Sequence, residues 1–390
     1  TLAASLPVLL HARWPATLFL ESDTDASPMP RTSRVVLEAR LAGSPNELLF
    51  LREGRNATVA VAQTSESRVL FVGAHPDASD GDDMPTQLFL SVVALGAHPA
   101  PSDVLVVGYG SGVTVEAALR VPGVRRVDGV EIEKAVLEAS PLFGHVNRGA
   151  ERDPRARFVL DDARGFLSAT RRSWDVILSE PSNPWRAGVA SLFTTDFYRA
   201  AKARLRPGGL FAQWLQLYST DEACVKLVLR SLAASFAEVQ VWWLDAGNVV
   251  VLAADAPIRV PRGRMDALLD GPFREDRIRH ARVGTTAEFY ARFLLDTRAV
   301  LAFAGEGPLH TDDRPLLEFE APRAVFRSGG QEAARLVAEK LSSRSLVPPL
   351  AGEPPPEEAL WAGLSEMLHA AGRGPDAEAA ARHAASLGDG

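Results

Sequence analysis

Four carboxylates in this chain stand directly after short apolar runs: Glu131 after 126–130, Asp161 and Asp162 after 156–160, and Glu180 after 174–179. In an open α/β sheet, acids at strand ends lie where ligands bind. The turn Gly108-Tyr-Gly-Ser-Gly112 follows the run 104–107 and opens an amphipathic segment. Gly108, Gly110 and Gly112 allow backbone to approach a ligand, and Glu131, nineteen residues after Gly112, can take both hydroxyls of a ribose. A dinucleotide fingerprint has its last glycine one position later, where Val113 stands, so an S-adenosyl nucleoside fits better than NAD. An ordinary glycine turn is the competing reading. Asp162, followed by Ala163, can accept the adenine amino hydrogen while the next backbone N–H meets a ring nitrogen. A helix N-cap is the other role for Asp161 or Asp162, and the two roles can coexist. Glu180 opens Glu-Pro-Ser-Asn-Pro-Trp, in which Pro181 and Pro184 fix φ and remove donors. A turn this stiff projects Glu180, Ser182 and Asn183, with Glu180 orienting or deprotonating an incoming amine; a structural ion pair is the alternative. Trp185, Gln213 and Trp214 are candidates for the crevice walls, against a plain core role for the tryptophans.

The elements that must position these groups follow from periodicity. Apolar runs at 104–107, 126–130, 156–160, 175–178, 209–213, 238–243 and 248–253 alternate with helical segments around 113–120, 133–141, 163–170, 194–204 and 221–234. Alternation of this kind means a mostly parallel sheet with helices on both faces. The final two runs, joined only by 244–248, must form a hairpin. The expected fold is therefore α/β, with a Rossmann-like, class I methyltransferase-type sheet over 98–256 as the nucleoside-binding unit. Ahead of it, 34–97 reads as a small antiparallel β domain plus linking helix: β-branched runs at 35–41, 47–51, 58–61 and 69–72, an acidic turn at 76–87 and a helix at 84–95. Residues 1–33 are a lead-in and 257–328 a helical extension. The tail 329–390 is helical and either repeat-like, in which case it must pack on the body or belong to a larger array, or an alanine-rich frayed end.

Composition narrows the function. With 42 basic and 49 acidic residues and a net charge of −7, the chain has no electrostatic footprint for nucleic acid. Its one cysteine, Cys224, excludes an intramolecular disulfide framework and a cysteine-rich metal site, favours a reducing compartment, and is expected to pack a helix. No run approaches the ~20 apolar residues of a membrane helix. The chain begins at Thr1 rather than Met, so an upstream span and a membrane tether remain compatible with a chain that is soluble as given and cytoplasmic in location.

With Gly108–Gly112, Glu131, Asp162 and Glu180–Pro184 in this order, followed by Leu192-Phe193 and Pro207-Gly-Gly209, the chain resembles the spermidine synthase (polyamine aminopropyltransferase) family over roughly residues 45–255. It is most similar to the bacterial branch often fused to membrane segments, through Ser-Glu-Pro-Ser-Asn-Pro-Trp, Gly188-Val-Ala-Ser-Leu-Phe and Thr311-Asp-Asp-Arg-Pro, which carries the likeness to about residue 322. The resemblance implies that Glu131 binds ribose, that Asp162 and Ala163 bind adenine, and that Glu180 takes the place of the catalytic aspartate. It also marks departures. The turn aspartate that grips the donor's amine is Ser111, the second amine-binding aspartate is Asn183, and the tyrosine after the acidic turn is Gln87. A diamine site needs acids at both ends, because an unpartnered ammonium is costly to desolvate, so the acceptor site is atypical.

The implied co-substrate is S-adenosylmethionine or its decarboxylated form, with no metal. The expected partners are a small-molecule substrate, an amine by the resemblance, and a second copy in a homodimer; nucleic acid is not among them. The propyl-type group leaves the sulfonium and methylthioadenosine is released. A small-molecule S-adenosylmethionine-dependent methyltransferase and a non-catalytic nucleoside sensor or scaffold are the alternatives. Because serine at 111 would not repel a carboxylate, S-adenosylmethionine is expected to bind at least as well as its decarboxylated form. Against that stands Asp82 or Asp83, which could anchor the donor's ammonium instead; Asp83 lies where the family also carries an acid.

Overall fold

The computed structural model describes residues 47–73, 75–327, 331–343 and 347–388. The lead-in 1–33 and the expected strand 35–41 lie outside the described residues. β-Branched runs build a first sheet in which β1 (Glu47–Glu53), β2 (Thr58–Gln63), β3 (Arg68–Val72) and β4 (His75–Ser79) pair antiparallel in chain order. β4 shortens the acidic turn expected from residue 76. Its polar composition hides it, but the free edge of β3 supplies backbone partners that a turn would have to find elsewhere. The turn itself is confined to 80–83 and feeds α1 (Met84–Ala97), which is buried over nearly its whole circumference.

The alternating pattern then appears as β5 (Asp103–Val107), α2 (Val113–Arg120), β6 (Arg126–Glu131), α3 (Lys134–Ala139), β7 (Ala156–Leu160), α4 (Ala163–Ala169), β8 (Trp174–Ser179), α5 (Thr195–Lys202), β9 (Leu205–Gln216), α6 (Glu222–Ser235), β10 (Glu238–Asp245) and β11 (Asn248–Ala254). Strand order is β7-β6-β5-β8-β9-β11-β10, parallel from β7 to β9, with β11 antiparallel between β9 and β10. The expected β10–β11 hairpin closes at Asp245 opposite Asn248. Val104 and Val106 pack in one hydrophobic cluster and Leu105 and Val107 in the other, the two-faced burial of a central parallel strand. From β5 the chain winds outward through β6 and β7, then returns to the other side of β5 with β8. Such a reversal of strand order opens a crevice at the carboxyl ends of the strands.

The extension is less uniformly helical than expected. It contributes β12 (Val260–Pro261), the helices α7 (Arg262–Asp270), α8 (Arg274–Arg279) and α9 (Thr286–Tyr290), and then β13 (Phe293–Leu295), which adds an edge strand beside β10. After α10 (Thr297–Ala304), the segment before α11 (Leu316–Arg327) is pinned to the core. Buried His310 meets the Ala190 carbonyl through Nε2 at 2.8 Å, its own carbonyl accepts from Thr195 N–H at 2.9 Å, and Asp312 pairs with Arg164. The tail consists of α12 (Glu332–Ser343), β14 (Leu350–Ala351) paired with β12, α13 (Glu357–Ala370) and α14 (Gly374–Gly388). It packs on the body: Leu364, Met367 and Leu368 join the core, and a Cβ at Gly363 would stand 2.5 Å from the Glu288 carbonyl. Cys224 is buried in α6, as expected. Among the described residues no helix is long and apolar enough to cross a membrane.

Candidate functional site

The carboxyl ends of β5, β6 and β8, the segment that follows β7, the β3–β4 turn and α11 surround a crevice of about 990 Å³. Its floor is the glycine turn. Gly108, Gly110 and Gly112 have φ of +87°, +54° and +87°, a region that costs any other residue strain. A Cβ on Gly108 would stand 2.5 Å from the Glu180 carbonyl oxygen, so this glycine lets the ends of β5 and β8 meet.

Glu131 closes β6 and is buried. Its Oε2 accepts from Tyr109 N–H at 3.0 Å and its Oε1 from Glu133 N–H at 2.8 Å. Burial pushes its carboxyl up to about 7, against the pull of those N–H donors. Each carboxylate oxygen keeps a further acceptor position. Asp162 caps α4, accepting from Gly165 N–H at 2.9 Å through Oδ2, while Oδ1 takes no hydrogen bond among the described residues. The capping role is therefore present and leaves one oxygen for a ligand. Replacing Asp162 by Ala is expected to cost about 0.5–2 kcal/mol of stability, whereas Asp162→Asn keeps the cap; denaturant unfolding of both variants checks this. Ile132, 51% exposed, lines the crevice beside the aspartates, whereas Leu160, 52% exposed, lines an adjoining cavity with Asp161 and Asp162.

Glu180 follows β8, its N–H donating to the Val107 carbonyl at 3.0 Å. The Thr114 hydroxyl, shared with the Gln87 carbonyl, reaches Glu180 Oε2. Burial pushes the Glu180 carboxyl up to about 7; Asp83 and Asp77 act in the same direction and the Thr114 bond opposes it. No cation pairs with Glu180 among the described residues, so the ion-pair alternative has no partner here. Asn183 donates to the Tyr218 hydroxyl at 3.1 Å, and Trp185 stands edge-on to Tyr218 at 6.0 Å. Asp83, Gln87, Asn183, Trp185, Trp214 and Ala163 all line the crevice.

Three candidates, Ser111, Gly112 and Gln213, do not. Ser111 is fully buried beneath the turn, its hydroxyl donating to Gln87 Oε1, and Gln87 Nε2 in turn donates to the Ser79 carbonyl at 2.8 Å. Gln213 is buried on the opposite side of β9 from Trp214. There it meets the Tyr198 hydroxyl at 2.7 Å and the Leu192 carbonyl at 3.0 Å. Strand alternation sends one of the two neighbours to the crevice and the other to the core.

Residues 86–245 match the Spermine/spermidine synthase domain family. The polyamine aminopropyltransferase of Pyrobaculum arsenaticum is 30% identical to the chain over 216 residues, 53% of this chain and 74% of that protein. The chain belongs to this family. A second aminopropyltransferase, from Aeropyrum pernix, is 27% identical over 260 residues, covering 64% and 81% of the two chains. Among solved structures, a spermidine synthase in complex with the transition-state analogue AdoDATO superposes with a TM-score of 0.51 at 18% identity, covering 72% of this chain and 87% of that one, and shares its fold. As a member of the aminopropyltransferases the chain is a transferase.

Several groups lining the crevice escape inspection of motifs. Asp77 sits on β4, where the sequence reads as a turn, and Tyr218 lies beyond β9. Arg186 directly follows the Pro-flanked motif, which is the one signal that could have drawn attention to it. Pro322, Val325 and Phe326 of α11 add an apolar rim.

Proposed function

We propose that the chain transfers an aminopropyl group from decarboxylated S-adenosylmethionine to an amine, releasing methylthioadenosine. The observation that carries this reading is Glu180, a carboxylate without a cation partner, held at the strand end beside the glycine turn. Glu131 takes the ribose hydroxyls, Asp162 and the backbone at Ala163 take adenine, and Ile132 covers the ring. Glu180 accepts a proton from the attacking amine. The amine nitrogen bonds to the propyl carbon as the carbon–sulfur bond breaks, and the electron pair returns to sulfur. Because the sulfonium is already an activated leaving group, the protein supplies position and electrostatics rather than a metal.

Ser111 loses its part in donor choice, since its hydroxyl is spent on Gln87. The acid that stands in for it is Asp83, linked through Gln87 and Ser79, whose side chain bonds Asp83. Asp83 suits the lone ammonium of the decarboxylated donor. A carboxylate in its place, ~4 Å away at an effective dielectric near 20, would be repelled by up to about 4 kcal/mol. Incubating the protein with either donor and a panel of amines, and identifying the nucleoside product by mass, tests the proposal. Methylthioadenosine from the decarboxylated donor is expected. S-adenosylhomocysteine would mean methyl transfer, and a retained donor without product would mean a sensor.

A further inference from the structure

The crevice carries a fixed cation. Arg186 Nη1 binds Asp77 Oδ1 at 2.9 Å and the Ser182 hydroxyl at 3.2 Å, and its Nη2 binds the Val72 carbonyl at 2.8 Å. Asp77 also accepts from Ser182. The guanidinium is thus clamped from three directions on the wall that the small sheet contributes, and Arg186 and Asp77 both line the crevice.

Counting charges by place then limits the ligands. Glu131, Asp161 and Asp162 belong to the nucleoside end, as does Glu133, whose carboxylate accepts from Asn56 N–H at 2.8 Å. Of the acids beyond it, Asp83 is left for the donor's ammonium and Glu180 for the attacking nitrogen. Asp77 is the remaining acid of the lining beside the Pro-flanked turn, and Arg186 neutralises it. Asn183, an amide, supplies no charge, and its Nδ2 is turned to Tyr218. Asp245 is engaged with Gly247 N–H at 2.7 Å and Asn248 Nδ2 at 2.8 Å and does not line the crevice. A second ammonium on the acceptor would find a guanidinium in place of a free carboxylate, and desolvating it unpartnered is costly.

We infer that Arg186 is a specificity-determining residue, and that the acceptor is an amine bearing a single positive charge, with an uncharged far end, rather than an α,ω-diamine. This rests on the aminopropyl-transfer reading above, and the test separates the two. The protein is first titrated calorimetrically with methylthioadenosine; absence of binding there overturns the transfer reading and the inference with it. The saturated complex is then titrated with 1-aminobutane and 1,4-diaminobutane, which share a chain length and differ in the second charge. The monoamine is expected to bind at least ten-fold tighter. Arg186→Gln, which frees Asp77, should move the ratio at least ten-fold toward the diamine. Asp77→Asn, which frees the guanidinium, should move it the other way. Tighter diamine binding by the wild type, or a ratio unmoved in both variants, overturns the inference; if either variant fails to fold, the wild-type ratio decides alone.

Discussion

Glu180→Gln is expected to lower turnover by about 10²–10⁴-fold while leaving nucleoside binding intact, because the amide keeps the shape of the carboxyl and cannot take a proton. The setting supports a base. Burial holds the group near 7, high enough to accept a proton from an amine while a substantial fraction stays ionised at neutral pH. Only the carboxylate form is competent, so wild-type kcat/KM should fall as pH drops through about 7, and that limb should vanish in the Gln variant. Stability moves in the opposite sense. A carboxyl whose folded value is raised contributes most below its unfolded value, near 4.5, and that contribution is lost as pH rises through about 7. The variant should therefore be at least as stable as wild type at pH 8. Steady-state rates at saturating donor and denaturant melts across pH check both statements; unchanged turnover would make Glu180 a structural acid.

Gly108→Ala is expected to be nearly as damaging, for a backbone reason. Its φ of +87° penalises any side chain, by about 1–3 kcal/mol, and the new Cβ would press to 2.5 Å on the Glu180 carbonyl. Backbone lies on both sides of that contact, so no side chain can swing away. The end of β8 must shift and carry Glu180 with it, and a displacement of ~1 Å at a reacting group costs on the order of 10²-fold in rate. Gly110→Ala is the control: its φ is +54°, but its Cβ would sit an ordinary 3.6 Å from Ala78. Urea unfolding together with single-turnover rates should show Gly108→Ala losing more of both. Equal behaviour of the two variants would mean that the close approach of β5 and β8 does not position Glu180.

The site was legible in proportion to how local its causes are. Asp162 caps α4 through a contact three residues away, and such contacts are written in short stretches of chain. Glu131 and Glu180 can be placed at strand ends from sequence because an apolar run followed by an acid marks such an end, whatever the strand pairs with. Asp77 and Arg186 meet across 109 residues, and nothing near either one announces the other.

Hydrophobic periodicity alone determined the alternation from β5 to β11, the β10–β11 hairpin and the helical tail, because burial on one or two faces imposes its period on the residues themselves. Tertiary structure decided the rest. The unpaired edge of β3 made a strand of polar 75–79, and α11, pinned through His310, brought an apolar rim to the crevice. Packing beneath the turn spent the Ser111 hydroxyl on Gln87, while docking of the small sheet set Arg186 on Asp77. Charges are placed by long-range packing, which sequence spacing does not encode.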